Sequence, residues 1–378
     1  MRLHITAYLS VICLLLPVFL KAQDNKLTKR ETFTIKLQKF PIANFPENAI
    51  PVSDIRLIQV LPDSINLGYT TKGMMVQHVV VLRPSKPLTD FLQEHIMRMY
   101  KSSYAKNGAK MLWILKDLRF GEKLIPGQVY GYNRMVADSY ISNDGKLYKK
   151  LFSLDTVFVV ESADMVTTSY ATNIETALKY LSKRSFLSAE NVFNTASEER
   201  TVEQIMDQAK QNYDHRILSD TVYNEGAYAS FQEFLDNKPT VLNIETVLNG
   251  DKITKFTRKG TDGQPETISI WGLCQKGELF KYDNEKLVPL ERQDNGFVIS
   301  AYVDNTNKMY RKASGRSMPY TFMIGGVTGG LLGAMAYRDV LKAEKDKYIL
   351  VRSYPYITEP DEQPIATCIN MRTGEWSF

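Results

Sequence analysis

The sequence predicts an α+β chain. It reads as an N-terminal α+β domain (strand-strand-helix-three strands-helix) followed by a mostly antiparallel β domain with a glycine-rich apolar insertion. Three observations predict this. Across residues 33–186 the apolar spacing switches between strand-like and helical periods. Beyond residue 223, turn-forming pairs recur at short intervals, the spacing of an antiparallel β domain. The length of 378 residues, at 44% hydrophobic and 24% charged, suits two domains that each bury a core.

In order, residues 1–22 carry Arg2, then an apolar run from Ala7 to Leu20 broken by Ser10, then Lys21 and Ala22. A positive start, an apolar middle and a small residue at the end are the parts of a secretory signal peptide, here cut after Ala22. The run of about fourteen apolar residues falls short of the roughly 20 that span a bilayer, so cleavage is expected rather than an anchor. Cys13 lies inside the run with no small residue before it, which argues against lipidation. Removing the leader leaves Cys274 and Cys368. In an exported chain this pair admits a disulfide, with two buried free thiols as the alternative.

Residues 23–32 form a polar leader. Within 33–186, Asp54–Val60 alternates as a strand and Gln77–Leu82 reads as a buried one. Leu88, Phe91, Leu92, Ile96 and Met99 recur at helical spacing, and Asn107-Gly108 ends that helix. Met111–Phe120, Gln128–Ala137 and Leu147–Glu161 read as strands, the last two joined through Asn143-Asp144-Gly145. A second helix is expected to start at Thr172, capped with Glu175. Residues 187–222 form a linker, with Thr201 and Gln204 capping a connector helix. Residues 223–378 are the mostly β domain, where Ser230 caps a short helix and strands follow at regular spacing, the last at Tyr348–Tyr356 and Ile365–Met371.

One segment of that domain is unusual. Residues 319–337 carry no charge, and Gly325, Gly329 and Gly333 are spaced four apart. On a helix they make one smooth face for close backbone approach, the candidate contact with a membrane surface or an envelope protein. Five glycines, each costing about 0.8–1 kcal/mol against Ala, leave such a helix weak unless apolar surroundings support it. An insertion folded back on the β domain is the expected form.

The chemistry of known enzymes is missing from the motifs. No HExxH, CxxC, GxSxG, GxxxxGK or GxGxxG occurs, so no cofactor, metal or catalytic residue is expected. His78, His95 and His215 are scattered, His95 as an exposed helix residue. Ser103-Tyr-Ala-Lys106 matches an Ser-x-x-Lys spacing, but it falls where a helix ends. A net charge of +5 is too small for a dedicated nucleic-acid binder.

With its leader, its two-part layout, Trp271-Gly-Leu-Cys274 and Met371-Arg-Thr-Gly-Glu375, the chain resembles in type the uncharacterised exported proteins common in Gram-negative envelopes. The resemblance implies a periplasmic or outer-membrane-associated protein and carries over no site residues. The expected function is therefore a non-enzymatic envelope binding or interaction protein. A soluble secreted hydrolase or carbohydrate-binding protein is the alternative.

Overall fold

Strands rich in Val, Ile, Tyr and Phe pair into three sheets among the described residues of the computed structural model. The structure describes residues 31–36, 50–61, 63–72, 78–101, 104–125, 128–162, 169–192, 198–249, 252–260, 263–293, 296–300, 302–324 and 363–378. The first sheet contains β1 (Thr32–Ile35), β2 (Val52–Gln59), β3 (Gly68–Lys72), β4 (His78–Pro84), β5 (Ala109–Ile125), β6 (Gln128–Ser142), β7 (Tyr148–Ser162) and β8 (Glu199–Arg200). Its spatial order is β1-β4-β3-β5-β6-β7-β8, with β2 also paired to β5. The antiparallel β5, β6 and β7 are 17, 15 and 15 residues long and curl into a half-barrel.

Six helices accompany the sheets among the described residues: α1 (Leu88–Met99), α2 (Ser169–Val192), α3 (Val202–Lys210), α4 (Arg216–Ser219), α5 (Phe231–Leu235) and α6 (Tyr302–Ile324). The remaining strands are β9 (Gly226–Tyr228), β10 (Glu245–Asn249), β11 (Lys252–Lys259), β12 (Pro265–Ile268), β13 (Gly272–Gln275), β14 (Glu278–Asp283), β15 (Lys286–Gln293), β16 (Gly296–Ile299), β17 (Cys368–Ile369) and β18 (Trp376–Ser377). They build a seven-stranded sheet, β18-β17-β16-β15-β14-β13-β9, and a three-stranded sheet, β10-β11-β12.

At 47% strand and 27% helix, the chain is sheet-dominated, with a curled half-barrel and further sheets. This corrects the predicted α+β fold, in which an N-terminal domain of strand-strand-helix-three strands-helix preceded a mostly antiparallel β domain. The physical reason lies in the strands. β5 reaches well beyond the predicted Met111–Phe120, through Gly121, Glu122 and Lys123, because its pairing with β6 continues to Ile125 and Gln128. β3 reads GYTTK, with no apolar alternation, and is held by hydrogen bonding to β4 instead.

Local signals fared unevenly. Thr201 and Gln204 form the reciprocal cap of α3: the Gln204 amide donates to Thr201 Oγ1 at 3.3 Å, and the Thr201 amide donates to Gln204 Oε1 at 2.9 Å. Thr172 does not cap a helix. It sits inside α2, where its carbonyl accepts from Thr176 Oγ1 at 2.9 Å. His95 is buried rather than exposed, on the core face of α1. β16 stops at Ile299, and α6 follows from Tyr302. Residues 319–324 end α6, while Gly325, Gly329 and Gly333 and the predicted strand at Tyr348–Tyr356 lie outside the described residues. Among the described residues, no helix is long and apolar enough to cross a membrane.

The two faces of the half-barrel differ in what covers them. The inner face buries Met111, Trp113, Leu118 and Phe120 against α1 and α2. On the outer face α3 places Ile205 and Ala209 on Leu112, Ile114, Tyr140 and Tyr148. Farther along that face, Phe378 packs on Tyr130, Tyr132 and Val157. Gly121 makes this contact fit, since a Cβ there would meet Phe378 Cδ2 at 2.9 Å. A further cluster joins Tyr69, Val79 and Val81 to the seven-stranded sheet and α6.

A charged crevice as candidate functional site

Between the two apolar patches of the outer face runs a belt of charge, and a local irregularity of β5 builds it. Leu115 pairs with Ala137 and Asp117 with Val136, so Lys116 is an extra, unpaired residue. Such a bulge resets the inside–outside alternation. Leu115 and Leu118 therefore both join the inner core, leaving Lys116, Asp117 and Arg119 to line a crevice with Arg134 and Val136 of β6.

The opposite wall comes from the seven-stranded sheet: Gly296, Phe297 and Val298 of β16, Cys368 and Ile369 of β17, and Arg372 on the turn beyond. That turn contains the Met371–Glu375 string. The Asn370 carbonyl accepts from the Gly374 amide at 2.8 Å, and Asn370 Oδ1 accepts from the Arg372 amide at 3.0 Å. Gly374 takes φ +73°, and a Cβ there would lie 2.5 Å from the Phe231 ring, so glycine is required on both counts. Tyr213, beyond α3, also lines the crevice and donates to the Lys116 carbonyl at 2.8 Å.

The charges are engaged unequally. Lys116 Nζ lies 2.5 Å from Asp138 Oδ2, and Asp138 also accepts from Ser153 Oγ at 2.6 Å. Burial alone would raise the Asp138 carboxyl, but these two partners hold it below the usual carboxylate range. Arg134 donates to both oxygens of Asp155 at 3.2–3.3 Å and to Ser377 Oγ at 2.9 Å. Asp117 is held less well. Arg119 Nε stands 3.6 Å from its Oδ1 and Arg134 Nη1 3.5 Å from its Oδ2, and Oδ1 is buried without a hydrogen bond. Burial therefore pushes the Asp117 carboxyl above the usual range, against the pull of the two arginines. Burial also raises the Tyr213 phenol and the Cys368 thiol.

Inside, the crevice has a volume of about 30 Å³, room for one water or one functional group. Tyr213 also borders a wider, open vestibule of about 450 Å³, lined by Gln59, Val60, Leu61, Ser64, Lys210 and Asp214. That second volume is within the range of small-molecule sites. The arrangement offers positive charge and one unsatisfied acceptor in the crevice, with the larger, partly apolar volume on the other side of Tyr213.

Most residues singled out in the sequence fall elsewhere; Cys368, and Met371 and Arg372 of the Met371–Glu375 string, line the crevice. Cys274 and Cys368 are buried free thiols on β13 and β17, with three strands of the sheet between them. Cys274 Sγ donates to the Tyr223 carbonyl and Cys368 Sγ to that of Phe378, and burial pushes the Cys274 thiol up to about 11. Gly325, Gly329 and Gly333 lie outside the described residues. Trp271 packs with Phe231 and Phe234, and Trp376 is buried with its indole donating to Asp283 Oδ2 at 2.9 Å. Asp117, Arg119 and Arg134 match no motif, and charged residues within a strand ordinarily form its solvent face. One signal marks them: the unbroken apolar run Met111–Leu115 gives way to Lys116 and Asp117 before apolar residues resume at Leu118 and Phe120.

No family model matches the sequence, and no curated protein matches it. Among solved structures, the chain is similar to protein XCC0632 from Xanthomonas campestris, of the DUF330 family, at 13% identity and a TM-score of 0.31. The match covers 43% of this chain and 99% of that one, and at that similarity it adds nothing to the account of fold or function.

Proposed function

We propose that the chain is a non-enzymatic binding protein of the cell envelope, whose ligand enters the vestibule beside Tyr213 and reaches the charged crevice. The observation that carries this reading is Asp117 Oδ1, a buried acceptor without a hydrogen bond on a residue that lines the crevice with three arginines. A buried polar atom left unpaired costs about 1–3 kcal/mol, which a bound donor would relieve. Native mass spectrometry of the chain purified from its own envelope tests it. A retained small molecule, lost when Ser64→Trp fills the vestibule, is the expected result. A ligand-free spectrum from gently prepared material contradicts it.

Export is part of the proposal and rests on residues 1–22; amino-terminal sequencing of native protein is expected to begin at Gln23. Residues 319–337 are proposed as the contact with a membrane surface or envelope partner. Recovery in the membrane fraction should fall when Gly329 and Gly333 become Leu.

A second reading, a secreted hydrolase or carbohydrate-binding protein, draws on Asp117, raised by burial, and Asp214 in the adjoining vestibule. Two acids in different environments suit acid–base work on a sugar. Turnover of a glycoside panel that disappears in Asp117→Asn would establish it over the first.

A further inference from the structure

Taking the crevice as a ligand site, we infer that it holds a single oxyanion, a carboxylate or phosphate group, on a small molecule that also carries a hydroxyl or ammonium donor. The charge count points to the anion. Lys116, Arg119, Arg134 and Arg372 line the crevice against one carboxylate, Asp117. Asp138 engages Lys116, and Asp155 engages Arg134 from outside the lining. That leaves two guanidinium groups with capacity. Arg119 Nη1 donates to the Asn66 carbonyl at 3.3 Å, while its Nε stands beyond hydrogen-bond range of Asp117. Arg372 forms no ion pair among the described residues. Guanidinium pairs carboxylate and phosphate oxygens through two parallel bonds, which makes it the natural receptor for such a group.

The second feature of the ligand follows from Asp117. An anion alone would meet the unpaired Oδ1 as another acceptor, with no bond between them. A hydroxyl or ammonium next to the anionic group supplies the missing donor and offsets the like charge. The volumes set the size: about 30 Å³ takes the head group only, so the body lies in the vestibule of about 450 Å³, past Tyr213. Val60 and Leu61 give that body an apolar wall, and Lys210 and Asp214 give it a polar rim.

Calorimetric titration of the mature chain, with four anions and glycerol as the neutral control, tests this. Acetate and inorganic phosphate carry the anion without a neighbouring donor; lactate and glycerol 3-phosphate carry both. Lactate or glycerol 3-phosphate should bind at least about tenfold tighter than its donor-free counterpart, and the better of the two series identifies carboxylate or phosphate. Arg372→Ala should weaken binding by about tenfold or more, the size of one lost charge-assisted contact. Should that variant fail to fold, Arg372→Lys keeps the charge and loses the paired geometry. Asp117→Ala should erase the difference between lactate and acetate. Equal affinity with and without the donor overturns the assignment, as does absence of binding by all four anions. If glycerol or a neutral co-purified molecule binds and Ser64→Trp blocks it, the oxyanion falls and the ligand-binding reading stands. If nothing binds in either assay, both fall.

Discussion

Glu122 and Asp117 stand five residues apart on β5, and their surroundings differ in every respect. Glu122, toward α2, accepts from Thr70 and Thr71 hydroxyls, from Tyr170 OH at 2.8 Å and from the Thr71 amide at 3.2 Å. Its oxygens are saturated by the chain itself. Asp117, on the outer face, keeps one buried oxygen without a hydrogen bond and two arginines at longer range. A buried carboxylate that is fully hydrogen-bonded fixes packing, whereas one left short of donors has capacity for something from outside. The comparison divides the half-barrel into an inner face that holds the fold and an outer belt that holds the site.

The sharpest way to break this division is to weaken the inner face. Trp113 is buried between the half-barrel and α2, with its indole donating to Ser185 Oγ at 3.1 Å. Trp113→Ala should cost about 4 kcal/mol in denaturant unfolding. A loss below ~1 kcal/mol would mean that the inner core is not the main support.

Next in size is Asp138→Asn on the outer belt, which strands Lys116 without its closest partner. It should cost about 3 kcal/mol at neutral pH, as for other broken buried pairs. Because the folded Asp138 carboxyl is depressed, its stabilisation is present above the unfolded pKa and is lost as pH falls through the folded value. The gap between wild type and variant should therefore close in acid. Tyr170→Phe, which removes a hydroxyl from Glu122 and Thr70, should cost about 2 kcal/mol.

The smallest effect has the opposite sign. Burial raises the folded Asp117 carboxyl, so its charge opposes folding above that raised value and ceases to do so as pH falls through it. Asp117→Asn should leave stability at pH 7 unchanged or raised by up to about 1 kcal/mol. That advantage should shrink on acidification, the reverse of the Asp138 trend for wild type. A loss of several kcal/mol at neutral pH would place Asp117 among the structural groups.

Much of the local structure was legible in the sequence, because it depends on neighbours along the chain. The apolar spacing from Leu88 to Met99 sets α1, and Thr201 with Gln204 sets the start of α3. The Asn143-Asp144-Gly145 turn sits between β6 and β7, with Gly145 at φ +80° and Asp144 Oδ1 accepting from the Lys146 amide at 2.8 Å. Sheet dominance was not legible, since β3 and the far end of β5 are defined by distant partners rather than by their own residues. Nor was α6: Tyr302–Ile324 holds Asn305, Asn307, Gly315 and Pro319, poor helix formers that give no clear period. The site stayed hidden for a related reason. Asp117, Arg119, Arg134 and Arg372 come from three elements, and a single bulged residue, Lys116, turns the first of them into the crevice.

Arg372→Ala, measured for stability and for anion binding in the same preparation, tests the division most directly. The account predicts an unfolding midpoint equal to that of the wild type, with affinity for lactate or glycerol 3-phosphate reduced by at least about tenfold. A lowered midpoint with affinity unchanged would contradict it, and would make the outer belt a structural seam rather than a binding site.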